Sequence, residues 1–163
     1  MNVAIFLGSD SDFPVVEEAI HLMKRFEVTF GLEITSAHRS PERTKMLIKK
    51  YEEEGTGVFI AVAGKAAHLA GVVASHTTRP VIGVPVGGSA LGGFDALLST
   101  SQMPKGIPVA CMGIGKSGAS NAAILAIQIL ALADNSLTEK LDEYRSQMAE
   151  NVEAASKKIQ EKI

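Results

Sequence analysis

Short, wholly apolar runs recur along the chain, each followed by a polar loop and then by residues at helical spacing. Val3 to Leu7 reads as a strand, and the polar turn Gly8-Ser9-Asp10-Ser11-Asp12 follows it. From Pro14 to Phe26, the residues Val15, Ala19, Leu22 and Phe26 fall on one stripe of a helix. Val28 to Thr35 reads as a second strand. Ser40 and Pro41 then fit an N-cap and a first helical position, and the helix continues from Arg43 to Glu54, where Gly55 and Gly57 end it. Val58 to Val62 is a third strand, apolar throughout and so expected to be buried on both faces. A loop and a small-residue helix occupy Gly64 to Ser75, and Pro80 to Pro85 is strand four. A glycine-rich turn leads to a helix around Leu91 to Ser99, and Ile107 to Met112 is strand five. A long apolar helix, Ser117 to Ala133, is followed by a charged helix over 136–163.

Strand and helix thus alternate about five times with short connections. Parallel pairing with right-handed crossovers follows, which predicts an α/β fold: a three-layer αβα sandwich around an open parallel sheet of about five strands. In such sheets ligands bind beyond the carboxyl ends of the strands, where each polar loop lies. At 163 residues with no linker, repeat or low-complexity segment, one catalytic domain spanning 1–163 is expected. A chain of this length buries roughly 70% of its unfolded surface, enough for a real core. Trp is absent and aromatics are 5% of the chain, so that core must be built from Val, Ile, Leu and Ala.

Charge narrows the partners. Sixteen basic residues against 18 acidic ones give a net charge of −2, with no basic stripe and interleaved aromatics, so nucleic acid is not an expected partner. Cys111 is the only cysteine and cannot form an intrachain disulfide; among Val109, Ala110 and Met112 it reads as a small buried hydrophobe. Met1-Asn2-Val3 runs straight into a strand, with no sign of a signal peptide. The longest apolar run, Ala122 to Ala133, is interrupted by Gln128 and falls short of the roughly 20 residues that span a bilayer. A cytoplasmic protein without membrane partners is therefore expected. The same helix is apolar nearly all round and needs cover on several sides. A neighbouring subunit is the simplest source in a domain this small, which predicts a homo-oligomer.

Three polar loops carry the candidate chemistry. Ser36-Ala37-His38-Arg39-Ser40-Pro41 sets a hydroxyl, an imidazole and a guanidinium at a strand-to-helix junction. Arg39 with Ser36 suits a phosphate monoester, and His38 suits a proton shuttle near neutral pH. Ser9, Ser11 and Asp12 either cap the first helix or line a phosphate cradle with backbone N–H groups; Asp12 itself would repel phosphate and better accepts from ribose hydroxyls or an amine. His68 lies in the third loop, Gly64-Lys65-Ala66-Ala67-His68, and standing alone reads more readily as a structural histidine than a functional one. Gly87-Gly88-Ser89 permits tight turning or backbone approach to a flat ring, with Ser99, Gln102, Met103 and Pro104 as further candidates for the rim. His21 and His76 are incidental, and the histidines show no metal-ligand spacing.

Rival motifs fail on spacing. Gly115-Lys116-Ser117 resembles the end of a P-loop, but the required first glycine is replaced by Ala110. Gly8-Ser9-Asp10 breaks the dinucleotide fingerprint. A phospho-accepting signalling domain needs an Asp after strand three, where Val62-Ala63-Gly64 stands.

Taken together, Gly8-Ser9-Asp10-Ser11-Asp12, Ser36-Ala37-His38-Arg39-Ser40-Pro41, Ala66-Ala67-His68-Leu69, Pro80-Val81-Ile82-Gly83-Val84-Pro85-Val86, Leu97-Leu98-Ser99, Gln102-Met103-Pro104 and Asn121-Ala122-Ala123 resemble the PurE family. These are the N5-carboxyaminoimidazole ribonucleotide mutases and aminoimidazole ribonucleotide carboxylases of purine biosynthesis. The resemblance covers about residues 3 to 133. It implies a flavodoxin-like domain, an octamer, no metal or organic cofactor, and a small imidazole ribonucleotide as substrate. By position it implies that His38 is the general acid/base and that His68 lies over the reacting carboxyl group. It places Ser9, Asp12 and Arg39, with Ser11 and Ser36, around phosphate and ribose. Ala37, Gly64, Lys65, Ala66 and Leu69 complete the expected substrate-binding set. The implied reaction is an isomerisation in which the N-linked carboxylate leaves as CO2 and adds to ring carbon 4.

One loop departs from the mutase pattern. Where mutases read AGAGGAAHLPG, this chain has Val62, Lys65 and Ala70 as changes. The carboxylase branch, a lyase using free CO2, has a basic residue like Lys65, yet it lacks His68 and carries Lys in place of Arg39. The balance favours the mutase, with the carboxylase as the alternative and a non-catalytic nucleotide-binding module as a remote third.

Overall fold

The computed structural model describes residues 1–163. Five strands, β1 (Val3–Leu7), β2 (Phe30–Ile34), β3 (Val58–Gly64), β4 (Val81–Val86) and β5 (Ala110–Cys111), form one sheet in the order β2-β1-β3-β4-β5. Every pair is parallel. Helices α1 (Phe13–Arg25), α2 (Pro41–Glu53), α3 (Leu69–His76), α4 (Phe94–Ser101), α5 (Lys116–Ala131) and α6 (Asn135–Gln160) complete the expected αβα sandwich. The order places β1 beside both β2 and β3, so successive connections leave β1 in opposite directions and open a crevice above its end.

Successive side chains of a strand point to opposite faces, and that alternation divides the core. Val3, Ile5 and Leu7, with Val58, Ile60 and Val62, join α1, α5 and the start of α6 in the larger cluster. Ala4 and Phe6, with Phe59 and Ala61, join α2 and α3 in the smaller one. The central strands are buried on both faces, as their unbroken apolar runs predict. Each such Ile, Leu or Phe contributes roughly 1.5–3 kcal/mol by leaving water.

Helix boundaries follow local chemistry. Pro14 and Pro41 lie in the first turns of α1 and α2, where no N–H is needed. Glu27 takes φ 58° just after α1, and Val28 N–H donates to Met23 O in a Schellman closure. Ala19, Leu22 and Phe26 are buried as their stripe predicts, whereas Val15 is half-buried and Val16 and Met23 are buried instead. Helix α4 begins at Phe94, not Leu91, because Gly92 and Gly93 take φ 62° and 94°, which no right-handed helix accommodates. Strand β5 is only Ala110–Cys111 rather than Ile107–Met112, because Pro108 has no N–H to donate and Ile107 N–H turns back to Pro104 O. The C-terminal helix starts at Asn135 and ends at Gln160, with the Asp134 carboxylate accepting from Ser136 N–H as its cap. Its early residues Leu137 and Leu141 are buried beside α5. Packing by α1 and α6 thus supplies part of the cover for α5 that the sequence assigns to a neighbour, while Ile124, Leu125 and Ile129 stay half-buried. No helix is long and apolar enough to cross a membrane.

Candidate active site

The ends of β1, β2, β3 and β4 surround an open cleft of about 790 Å³. Its walls hold Ser9, Ser11 and Asp12 from the first loop, and Ser36, Ala37, His38 and Arg39 from the second. The third loop adds Gly64, Lys65, Ala66, His68 and Leu69. All twelve residues expected from the sequence therefore meet at one place.

The first loop realises the capping geometry. Ser11 N–H donates to Ser9 Oγ and Ser9 N–H donates to Asp12 Oδ2 at 3.0 Å, a capping box around a 3₁₀ turn over Asp10–Asp12. Burial pushes the Asp12 carboxyl above its ordinary pKa; the Ser9 N–H opposes this and the nearby Asp10 charge adds to it. Asp10, fully exposed, is held below the usual carboxylate range by the Ser9 hydroxyl and the Ser11 N–H.

The second loop is closed by hydroxyls. Ser40 N–H donates to Ser36 O at 2.9 Å, and Ser36 N–H donates to Ser40 Oγ at 3.1 Å. Ser40 is therefore not the side-chain cap expected for α2; its hydroxyl fastens the loop instead. Below it, the buried Thr35 and Thr44 hydroxyls lie 2.7 Å apart, and Thr44 also donates to Ser40 O at 3.3 Å. Arg39 is folded back, with Nη2 donating to Gly8 O at 3.1 Å and its backbone N–H donating to Ser36 Oγ at 3.2 Å. Those bonds fix the guanidinium without neutralising it, and most of its five donors remain for a ligand.

His38 and His68 come from different loops and meet at the cleft. Nε2 of His38 lies 2.8 Å from Nδ1 of His68, with the rings at 82° and centroids 4.9 Å apart. Only one proton can occupy that contact, so one ring donates while the other accepts. A proton taken by His38 from a ligand has a second imidazole beside it to share the charge.

Gly87 and Gly88 line the cleft, as their glycine-rich turn suggests, while Ser89 does not; Gly8, Ala63 and Val86 also line it without being singled out as site residues. The signal of these three is positional: Gly8 directly follows β1, and Ala63 and Val86 lie within the last two residues of β3 and β4. A Cβ on Gly64 would stand 3.3 Å from Val86 O, so glycine lets β3 and β4 close tightly at the floor. Ser99, Gln102, Met103 and Pro104 do not line the cleft of this chain. Ser99 Oγ donates to Asp95 O, and the Met103 sulfur would lie 3.2 Å from a Cβ placed on Gly71. Cys111 is half-buried rather than buried, and burial pushes its thiol up, away from the nucleophilic thiolate.

Comparison with known proteins gives a consistent picture. The family model described as AIR carboxylase matches residues 2–151. A Methanocaldococcus jannaschii protein named N5-carboxyaminoimidazole ribonucleotide mutase is 50% identical over 159 residues, covering 98% of both chains. An Escherichia coli protein of the same name is 45% identical over 151 residues, covering 93% of this chain and 89% of its own. A crystal structure of a substituted Treponema denticola PurE2 superposes with a TM-score of 0.87 at 27% identity, covering 97% of this chain and 98% of that one.

Proposed function

Because the chain belongs to the AIR carboxylase family, we propose that it is an N5-carboxyaminoimidazole ribonucleotide mutase of purine biosynthesis, an isomerase that moves a carboxylate from a ring substituent to ring carbon 4. The observation that carries the reading is the His38–His68 contact of 2.8 Å inside a cleft that also holds Arg39, Ser9, Ser11 and Ser36. Arg39 and the hydroxyls bind the phosphate and ribose, which fixes the ring over the two imidazoles. The N–carboxyl bond breaks, its electron pair stays on nitrogen, and CO2 is released while His38 donates a proton to that nitrogen. Ring carbon 4 then attacks the confined CO2, and His38 removes the proton from that carbon to restore aromaticity. The proton given in the first half is regained in the second, so the reaction needs no external acid, base or oxidant. His68 stabilises whichever protonation state His38 holds.

Ala37, Gly64, Lys65, Ala66 and Leu69 complete the substrate-binding set in this proposal, and Asp12 accepts from ribose hydroxyls. The reading also includes a single catalytic domain over 1–163, a cytoplasmic location and a homo-octamer. The exposed side chains of Leu91, Phe94 and Leu98 on and before α4 support assembly, since apolar side chains clustered on one element mark an interface. A stable monomer in sedimentation at micromolar concentration would contradict that part.

The competing carboxylase reading draws on Lys65, since that branch has a basic residue at its position. Purified protein supplied with the N-carboxylated ribonucleotide should turn over rapidly, and with aminoimidazole ribonucleotide plus bicarbonate only slowly. Fast turnover confined to the second mixture would reverse the assignment.

A further inference from the structure

Two non-glycine residues take positive φ, Glu27 at 58° and Lys65 at 56°. Glu27 has a structural reason, since it closes helix α1. Lys65 has none: it lies between β3 and α3 and follows no helix. An L side chain in the left-handed region carries a steric cost that glycine avoids. Such cost persists where a site uses the side chain. Lys65 also lines the cleft, and none of the chain's ion pairs involves it.

The charges of the cleft divide the work. Its wall holds two cations, Arg39 and Lys65, and one carboxylate, Asp12, with Asp10 beside it. Arg39 is committed to the first and second loops through Gly8 O and Ser36 Oγ. Lys65 sits three residues before His68, in the loop that brings the second imidazole to His38. The ligand of the proposed reaction carries two anionic groups, a phosphate and a carboxylate, at opposite ends. One cation belongs to the phosphate-binding loops and the other to the loop of the reacting end.

We propose that Lys65 holds the carboxylate of the ligand and makes the cleft selective for carboxylated over uncarboxylated imidazole ribonucleotides. The inference rests on the mutase reading and deepens it. The carboxylate is anionic before migration and after it, so the ammonium favours both bound forms. An interaction shared by substrate and product lowers KM with little gain in kcat.

The test is titration calorimetry with 4-carboxyaminoimidazole ribonucleotide and with aminoimidazole ribonucleotide, on wild type, Lys65→Met and Lys65→Gly. Methionine keeps the length and removes the charge. Both variants should bind the carboxylated ligand about 10-fold more weakly, as expected for one lost charge-assisted contact. Their affinity for the uncarboxylated ligand should be unchanged, and KM for the N-carboxylated substrate should rise about 10-fold. Lys65→Arg should restore the selectivity. Lys65→Gly should melt about 2 °C higher than wild type, because it relieves the backbone. Equal weakening of both ligands would assign Lys65 to the phosphate, and no weakening would remove it from binding; either overturns the inference. A lower melting temperature for Lys65→Gly would refute the steric argument. A wild type that binds neither ribonucleotide overturns the functional reading, and this inference with it.

Discussion

The loop over residues 36–40 and the loop over residues 64–68 each bring one histidine and one cation to the cleft, yet they are built in opposite ways. The first is fastened throughout: Ser40 grips Ser36, the Thr35–Thr44 hydroxyl pair at 2.7 Å lies underneath, and Arg39 bonds across to Gly8. The second has a strained Lys65 at φ 56°, and a single short turn from His68 N–H to Ala66 O. Groups that must meet the reacting atoms with fixed geometry are placed on the fastened loop. Adaptation of specificity falls on the other, where a side chain can change without disturbing a hydrogen-bond network.

Substitutions that break this contrast should grade in size. His38→Asn should lower kcat about 1,000-fold while calorimetry shows the ligand still bound, since general acid–base groups contribute on that scale. Turnover near wild type would remove His38 from the proton path. Arg39→Met should raise KM about 30-fold with a smaller change in kcat, the scale of a lost charge-assisted contact. An unchanged KM would show that phosphate is held elsewhere.

Thr44→Val acts one step further away. It leaves the buried Thr35 hydroxyl without its partner, at a cost of about 1–3 kcal/mol, while Ser40 O keeps the Thr44 backbone N–H. The melting temperature should fall by roughly 3–8 °C. If the pair also positions His38, kcat should drop about 10-fold with KM little changed, and Thr44→Ser should restore it. Loss of stability alone would confine the pair to folding.

The smallest effect concerns Asp12. Its carboxyl is raised above the ordinary range of a free aspartate, chiefly by burial, so the folded chain binds a proton there more readily than the unfolded one. The charged form therefore weakens the fold above the folded pKa, and stability is recovered as pH falls through that value. Asp12→Asn keeps an acceptor for Ser9 N–H and should melt slightly higher than wild type at neutral pH, with the advantage fading in mild acid. A melting difference independent of pH would contradict this origin.

Much of this architecture is legible in the residues. The strands of the sheet centre are unbroken apolar runs, and a run with no polar position has nowhere to lie except between two layers. The three loops are legible because Ser, Asp, His and Arg stand together where such runs end. What the residues do not reveal is contact across loops. His68 taken alone reads more readily as structural, since nothing local shows that its Nδ1 will stand 2.8 Å from His38 Nε2. The edge strand is shorter and α4 starts later than their apolar content predicts, because Pro108 lacks an N–H and Gly92 and Gly93 take positive φ. The role of Ser40 shifts from helix cap to loop clasp for a similar reason: its hydroxyl donates to Ser36 O and accepts from Ser36 N–H, and accepts from no helix N–H.

The account stands or falls on whether the carboxyl group travels within one cleft. The N-carboxylated ribonucleotide, labelled with carbon-13 in its carboxylate, would be converted in a single turnover by excess protein in unlabelled bicarbonate. Retention of most of the label on ring carbon 4 of the product is the result expected here. Product carrying the unlabelled carbon of the surrounding bicarbonate would contradict it, because the CO2 would then have come from solution.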